Sequence, residues 1–196
     1  MRSISSEARK NILESISVKQ DILSNELILN QLEKLINLSI CALKAGGKII
    51  FSGNGGSFSD AQHLSAELIS RFQYDRSSLP SIALGTNSSA MSAIGNDYGY
   101  VQVFARELQA MGSENDIFIP LSTSGCSENI LKAVHVAKER RIKTMAFTGR
   151  SGGHLRGVCE CICIPSDSTA RIQECHIMLG HILCGEIERA IFPVGN

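Results

Sequence analysis

Tryptophan is absent from this chain of 196 residues, which holds only 3 tyrosines and 7 phenylalanines. A surface that stacks nucleobases needs aromatic faces, so nucleic acid is not an expected partner. An excess of one charge is missing too: 19 Lys and Arg balance 19 Asp and Glu. Without a net field, neither a phosphate backbone nor an anionic membrane draws the chain in. No apolar run reaches the roughly 20 residues needed to cross a bilayer. The opening MRSISSEARKN is too polar for the apolar core of a secretion signal. The expectations are a cytoplasmic protein with no membrane partner and one domain over residues 1–196, since two would be cramped.

Paired CxxC spacing is also absent from the 7 cysteines. Cys159, Cys161 and Cys163 alternate, so a strand would point all three to one face. Thiols spaced along a strand lie too far apart to chelate one ion easily, and small apolar filler in a reducing compartment is the favoured reading. The glycine-rich run GNGGS fits neither the dinucleotide nor the P-loop pattern, which argues against a nucleotide-dependent enzyme.

What the chain does have is organised around Phe51–Arg71, FSGNGGSFSDAQHLSAELISR. An apolar strand, Lys48–Phe51, runs through Ser52-Gly53-Asn54-Gly55-Gly56-Ser57 into a helix. Glycines at such a turn let backbone amides approach an anion, and the helix N-terminus adds free N–H groups and a favourable dipole. His63 and Glu67 follow at i and i+4 on one helix face, a pair that can hold a metal or move protons, or do neither.

Residues 5–45 read as helix, with Ile12, Leu13, Ile16, Leu23, Leu27, Leu32, Leu35 and Ile36 at helical spacing. A break near Ser24-Asn25-Glu26 makes two helices, and Gly46-Gly47 ends the second. This amphipathic stretch, residues 1–46, needs an apolar partner, either a second copy or its own domain. Over 47–196 the pattern alternates. Strands are expected at Lys48–Phe51, Ser81–Leu84, Asp116–Leu121, Thr144–Phe147 and Cys159–Ile164, with helices near 58–72, 88–94, 100–111, 128–140 and 169–190. This is an α/β protein with a five-stranded parallel sheet covered on both faces, and its ligands belong beyond the carboxyl ends of the strands.

Three loops carry the remaining signals. After the third strand, Ser122-Thr123-Ser124-Gly125-Cys126-Ser127 sets four hydroxyls before a helix, a phosphate cradle that needs no lysine. One hydroxyl suffices for an ordinary helix cap, so four favour phosphate. After the second strand, Asn96 and Asp97 either bind ligand hydroxyls or form a turn. The last helix carries Gln173, His176 and His181. His181 sits among apolar residues, as a core histidine would, and lies about 12 Å of helix rise from Gln173, so spacing alone does not pair them.

GNGGS with DAQHLSAEL, AIGNDYG, LSTSGCSENILKA and TARIQECHIMLGHIL together resemble the phosphoheptose isomerases, enzymes built on a sugar-isomerase (SIS) domain. The match covers nearly the whole chain, in order and with the right gaps. It implies a flavodoxin-like αβα sandwich, a homotetramer with active sites at subunit interfaces, and one zinc ion (Zn2+) per subunit. By matching position, the zinc ligands are His63, Glu67, Gln173 and His181. Substrate contacts fall to Asn54, Gly55, Gly56, Ser57, Glu67, Asn96, Asp97, Ser122, Thr123, Ser124, Ser127 and Gln173. Glu67 and His181 become the base and acid that convert sedoheptulose 7-phosphate to a glycero-manno-heptose 7-phosphate for surface polysaccharide. One departure is Ala170, where some relatives carry Asp; Asp167, Thr169 or water would then assist ring opening. The competing readings are an isomerase of another sugar phosphate and a non-catalytic SIS adaptor for a replication initiator, which would not need all four ligands.

Overall fold

The computed structural model describes residues 4–193; residues 1–3 and 194–196, the ends of the expected 1–196 unit, lie outside the described residues. Helix α1 (Ile4–Leu23) and α2 (Glu26–Lys44) are separated at the expected break. The Asn25 side chain accepts from the Leu27 and Ile28 amides and so starts α2. Gly46, at φ 77°, ends it, with the Gly47 amide returning to the Ala42 carbonyl.

Five strands follow in alternation with helices: β1 (Ile49–Ser52), α3 (Gly56–Ile69), β2 (Ser81–Ala83), α4 (Ser88–Tyr98), α5 (Val103–Met111), β3 (Ile117–Ser122), α6 (Glu128–Glu139), β4 (Lys143–Thr148), β5 (Glu160–Cys163) and α7 (Thr169–Ile191). Two expectations shift. The helix expected to stop near residue 94 runs to Tyr98, so Asn96 and Asp97 ride on its last turn rather than in a loop. The helix expected from residue 100 begins as a 3₁₀ turn, Tyr100–Gln102, after Gly99 at φ 85°.

All strand pairs are parallel, in the order β2-β1-β3-β4-β5. Period-2 alternation sends Ile49, Phe51, Ile117, Ile119, Leu121, Met145 and Phe147 to one face, against α2, α3 and α7. Ile50, Phe118 and Ala146 go to the other face, against α5 and α6. Burial on both faces explains why these strands read as unbroken apolar runs. All seven cysteines are free; Cys161, Cys175 and Cys184 fill core, while Cys159, Cys161 and Cys163 line one cavity between β5 and α2.

This strand order reverses direction between β1 and β3. In doubly wound sheets a ligand crevice opens there, beyond the carboxyl ends, because the connections leave to opposite sides. The two loops at that crevice are the glycine-rich turn after β1 and the serine-rich loop after β3.

Candidate functional site

The glycine-rich turn is shaped by close approaches. A Cβ on Gly53 would lie 2.3 Å from the Ser57 carbonyl oxygen, and Gly55 holds φ 56°. Ser57 is buried in the first turn of α3. A Cβ on Gly56 would lie 2.5 Å from Gln173 Nε2, which places the α7 glutamine over the start of α3.

The Asn54 side chain is engaged within the protein. Asn54 and Asn129 exchange two amide hydrogen bonds, each 2.9 Å, and the Tyr100 hydroxyl donates to Asn54 Oδ1 at 3.1 Å. Asn129, buried on α6, was not anticipated as a site residue. It is the second residue after the serine-rich loop, a polar side chain in the first turn of α6 whose partner, Asn54, lies on another loop.

The serine-rich loop is a backbone construction. The Gly125 amide donates to the Ser122 carbonyl, and Gly125 stands at φ 65° with a virtual Cβ 2.1 Å from the Gly152 carbonyl oxygen, so only glycine fits. Ser122 and Ser127 place their hydroxyls 3.3 Å apart, and Ser124 Oγ accepts from the Cys126 amide. Thr123 is partly exposed beside them, its carbonyl accepting from Gly149. Ser127 occupies the N-cap of α6, yet its hydroxyl makes no capping bond. A serine serving only as a cap would bond the second or third helical amide.

His63, Glu67 and His181 come together within one chain: one ligand atom from each lies within 4.8 Å of the others. His63 Nε2 is 3.1 Å from Glu67 Oε1 and 2.9 Å from His181 Nε2. The seam between α3 and α7 allows this because Gly180 offers no Cβ where the Leu64 methyls sit; one placed there would be 2.5 Å from them. A glycine inside a helix costs roughly 1 kcal/mol against alanine, so Gly180 was the sequence signal of a close crossing. The Phe72 ring stacks on the His181 imidazole, centroids 5.4 Å apart.

Burial lowers the His181 pKa, helped by neighbouring His63 and opposed by Glu67. A neutral imidazole is the form that ligates metal. Donors around a tetrahedral zinc ion sit about 3.3 Å apart, given bond lengths near 2.0 Å. Two imidazole nitrogens and a carboxylate oxygen at 2.9–3.1 Å contacts fit such an ion. Gln173 is placed by its contact with Gly56. One turn before His63, Asp60 keeps a buried Oδ2 without a hydrogen-bond partner, and burial raises its pKa against the opposing effect of His63.

Asn96 and Asp97 are exposed on α4, where Asn96 Nδ2 donates to Asp97 Oδ1. Ala170 is exposed at the start of α7, and Asp167 nearby is ion-paired with Arg150 at 2.9 Å.

Comparison with known proteins gives one family. Residues 13–149 match the model of the SIS domain. A phosphoheptose isomerase from Aneurinibacillus thermoaerophilus is 49% identical over 94% of this chain and 93% of its own length. A solved phosphoheptose isomerase from Francisella tularensis superposes with a TM-score of 0.90 at 34% identity, covering 96% of this chain and all of that one. Another, from Neisseria gonorrhoeae, gives 0.88 at 36% identity, covering 95% of this chain and 99% of its own.

Proposed function

The chain belongs to the SIS-domain family, among its phosphoheptose isomerases, and from that premise we propose that it interconverts sedoheptulose 7-phosphate and D-glycero-D-manno-heptose 7-phosphate. The observation that supports this most is the meeting of His63, Glu67 and His181 on α3 and α7, on a fold whose β1/β3 crevice carries the hydroxyl-rich loop. The phosphate binds the amides and hydroxyls of Ser122, Thr123, Ser124 and Ser127. The sugar lies along the glycine-rich turn, contacting Gly55, Gly56, Ser57 and Gln173, with Asn54 held by Asn129 beside it. Asn96 and Asp97 take ligand hydroxyls.

Moving a carbonyl from C2 to C1 transfers one proton between those carbons through a cis-enediol. Glu67 removes a C1 proton while the C2 oxygen gains one, and Glu67 then returns its proton to C2. His181 carries the hydroxyl proton from O1 to O2. His63, Glu67, Gln173 and His181 would hold one zinc ion, which when bound would polarise the two oxygens as a Lewis acid. A carboxylate bound to zinc would be a poorer base, so Glu67 would act as the base with its carboxylate free of the ion, or the ion would be mainly structural.

Residues 1–196 act as one SIS domain, with 1–46 mediating self-association. Helix α1 exposes Ile12, Leu13, Ile16 and Leu23, an apolar stripe that suits packing against further copies in a homotetramer. No helix among the described residues is long and apolar enough to cross a membrane. The proposed setting is the cytoplasm, at the first step of heptose supply to lipopolysaccharide or capsule.

The test is turnover of sedoheptulose 7-phosphate by the full chain, with and without a chelator, alongside metal analysis of native protein. Turnover lost with chelator and restored by zinc is expected. Turnover only on a shorter sugar phosphate would reassign the substrate, and absent zinc with no turnover would favour the adaptor reading.

A further inference from the structure

Beyond the triad, the α3–α7 seam contains one fully buried ion pair. Arg76 Nε lies 2.9 Å from Glu188 Oε1, with side chains 2% and 0% exposed. Arg76 follows α3 in sequence, and its guanidinium folds back onto the end of that helix. Nη2 donates to the Glu67 carbonyl at 2.8 Å, and Nη1 to the carbonyls of Leu68, Ser70 and Ser77. Glu188, two turns past His181 on α7, accepts from the Phe72 amide at 3.0 Å and the Gln73 amide at 2.8 Å. Phe72 in turn lays its ring on His181. One ion pair thus grips the main chain of Glu67 on one side and fixes the residue stacked on His181 on the other.

A buried pair is a weak source of net stability, because desolvating two charges offsets much of their attraction. What it does supply is a defined geometry, since a guanidinium fork satisfies only one arrangement of carbonyls and carboxylate. Here that arrangement fixes the approach of the two helices that bear the metal-type ligands. Outer groups that orient ligands commonly change metal affinity by about 10–100-fold when altered.

We propose that Arg76 and Glu188 are positioning residues for the His63–Glu67–His181 cluster, with the Phe72 ring as the last link to His181. The inference rests on the zinc reading of that cluster. Neither residue touches the substrate; each acts through another.

The experiment is zinc affinity of the full-length protein by competition with a chromophoric chelator, with cobalt(II) visible absorption as a second readout of ligand geometry. Glu188→Gln, Phe72→Leu and Phe72→Tyr are compared with Leu108→Ala, a core truncation on the opposite face of the sheet. Glu188→Gln and Phe72→Leu are expected to weaken zinc about tenfold or more and shift the cobalt bands. Phe72→Tyr, which restores a ring, should bind as the parent does, and Leu108→Ala should lose thermal stability with unchanged zinc affinity. If Glu188→Gln is too unstable to assay, Phe72→Leu decides. Parent-like affinity in both would overturn the inference while leaving the zinc reading intact. A parent protein that binds no zinc would overturn that reading, and this inference with it.

Discussion

The two ends of the candidate site are built on opposite principles. The proposed phosphate end, Ser122–Ser127, is contiguous chain, made of backbone amides, hydroxyls and a glycine whose φ admits no side chain. The ligand end is three side chains from residues 63, 67 and 181, brought together only by the packing of α3 on α7. Local geometry fixes the first, and a helix crossing fixes the second. Small movements of α7 would therefore disturb the ligand end more than the loop.

The sharpest break in that comparison is Glu67→Gln. It preserves shape and leaves α3 otherwise intact, yet removes the proposed proton acceptor. Removing a positioned general base typically costs about 10²–10⁴-fold in rate, and a kcat loss near 10³ is expected here with substrate affinity little changed. Steady-state kinetics on the heptose phosphate checks it. Near-parental kcat would place the base elsewhere, with Asp60 the nearest other carboxyl on α3.

The same contrast explains what could be read in advance. The strand-helix alternation, the break at Asn25 and the glycine turn are encoded by neighbouring residues, so periodicity and turn chemistry revealed them. His63 and Glu67 were legible as an i,i+4 pair. His181 was not, because its pairing depends on Gly180 meeting Leu64 across 116 residues of sequence, and its apolar neighbours suggested a core histidine. Family resemblance, not spacing, joined it to the pair. Asn129 and the Arg76–Glu188 pair were missed for the same reason: each partner lies on a different element. The end of α4 was misplaced because Gly95-Asn96-Asp97 carries turn chemistry, which the helix overrides by running to Tyr98.

The core histidine on α7 is His176 instead. Its ring is fully buried, Nε2 lies 3.3 Å from the Thr148 carbonyl oxygen, and Nδ1 has no partner. Burial lowers its pKa to about 4, only partly opposed by that contact. The folded protein therefore resists protonating this ring, while the unfolded chain takes up a proton near pH 6.5. The stability that follows is complete above pH 6.5 and falls away between there and about pH 4, by roughly 3 kcal/mol. Urea midpoints across that range should show the slope, and His176→Leu should flatten it. His176 lies on α7, which also carries His181, so acid weakens the packing of the element on which the ligand end depends. A variant that retains the full slope would assign it to other groups.

The smallest effect separates cradle from cap. As a simple N-cap, Ser127 would cost about 1 kcal/mol of stability when replaced by alanine. Its hydroxyl makes no such bond; it faces Ser122 at 3.3 Å. Ser127→Ala should therefore leave the melting temperature within about 2 °C of the parent. Loss of one hydrogen bond to a charged phosphate should raise KM roughly tenfold. The reverse pattern, a lower melting temperature at unchanged KM, would return Ser127 to an ordinary capping role. It would also remove the cleanest evidence that the loop is shaped for an anion, because the other hydroxyl with a settled partner, Ser124, already accepts from the Cys126 amide. The local end of the site is thus the easier to read and the easier to misassign, since the same residues that cradle a phosphate also begin helices.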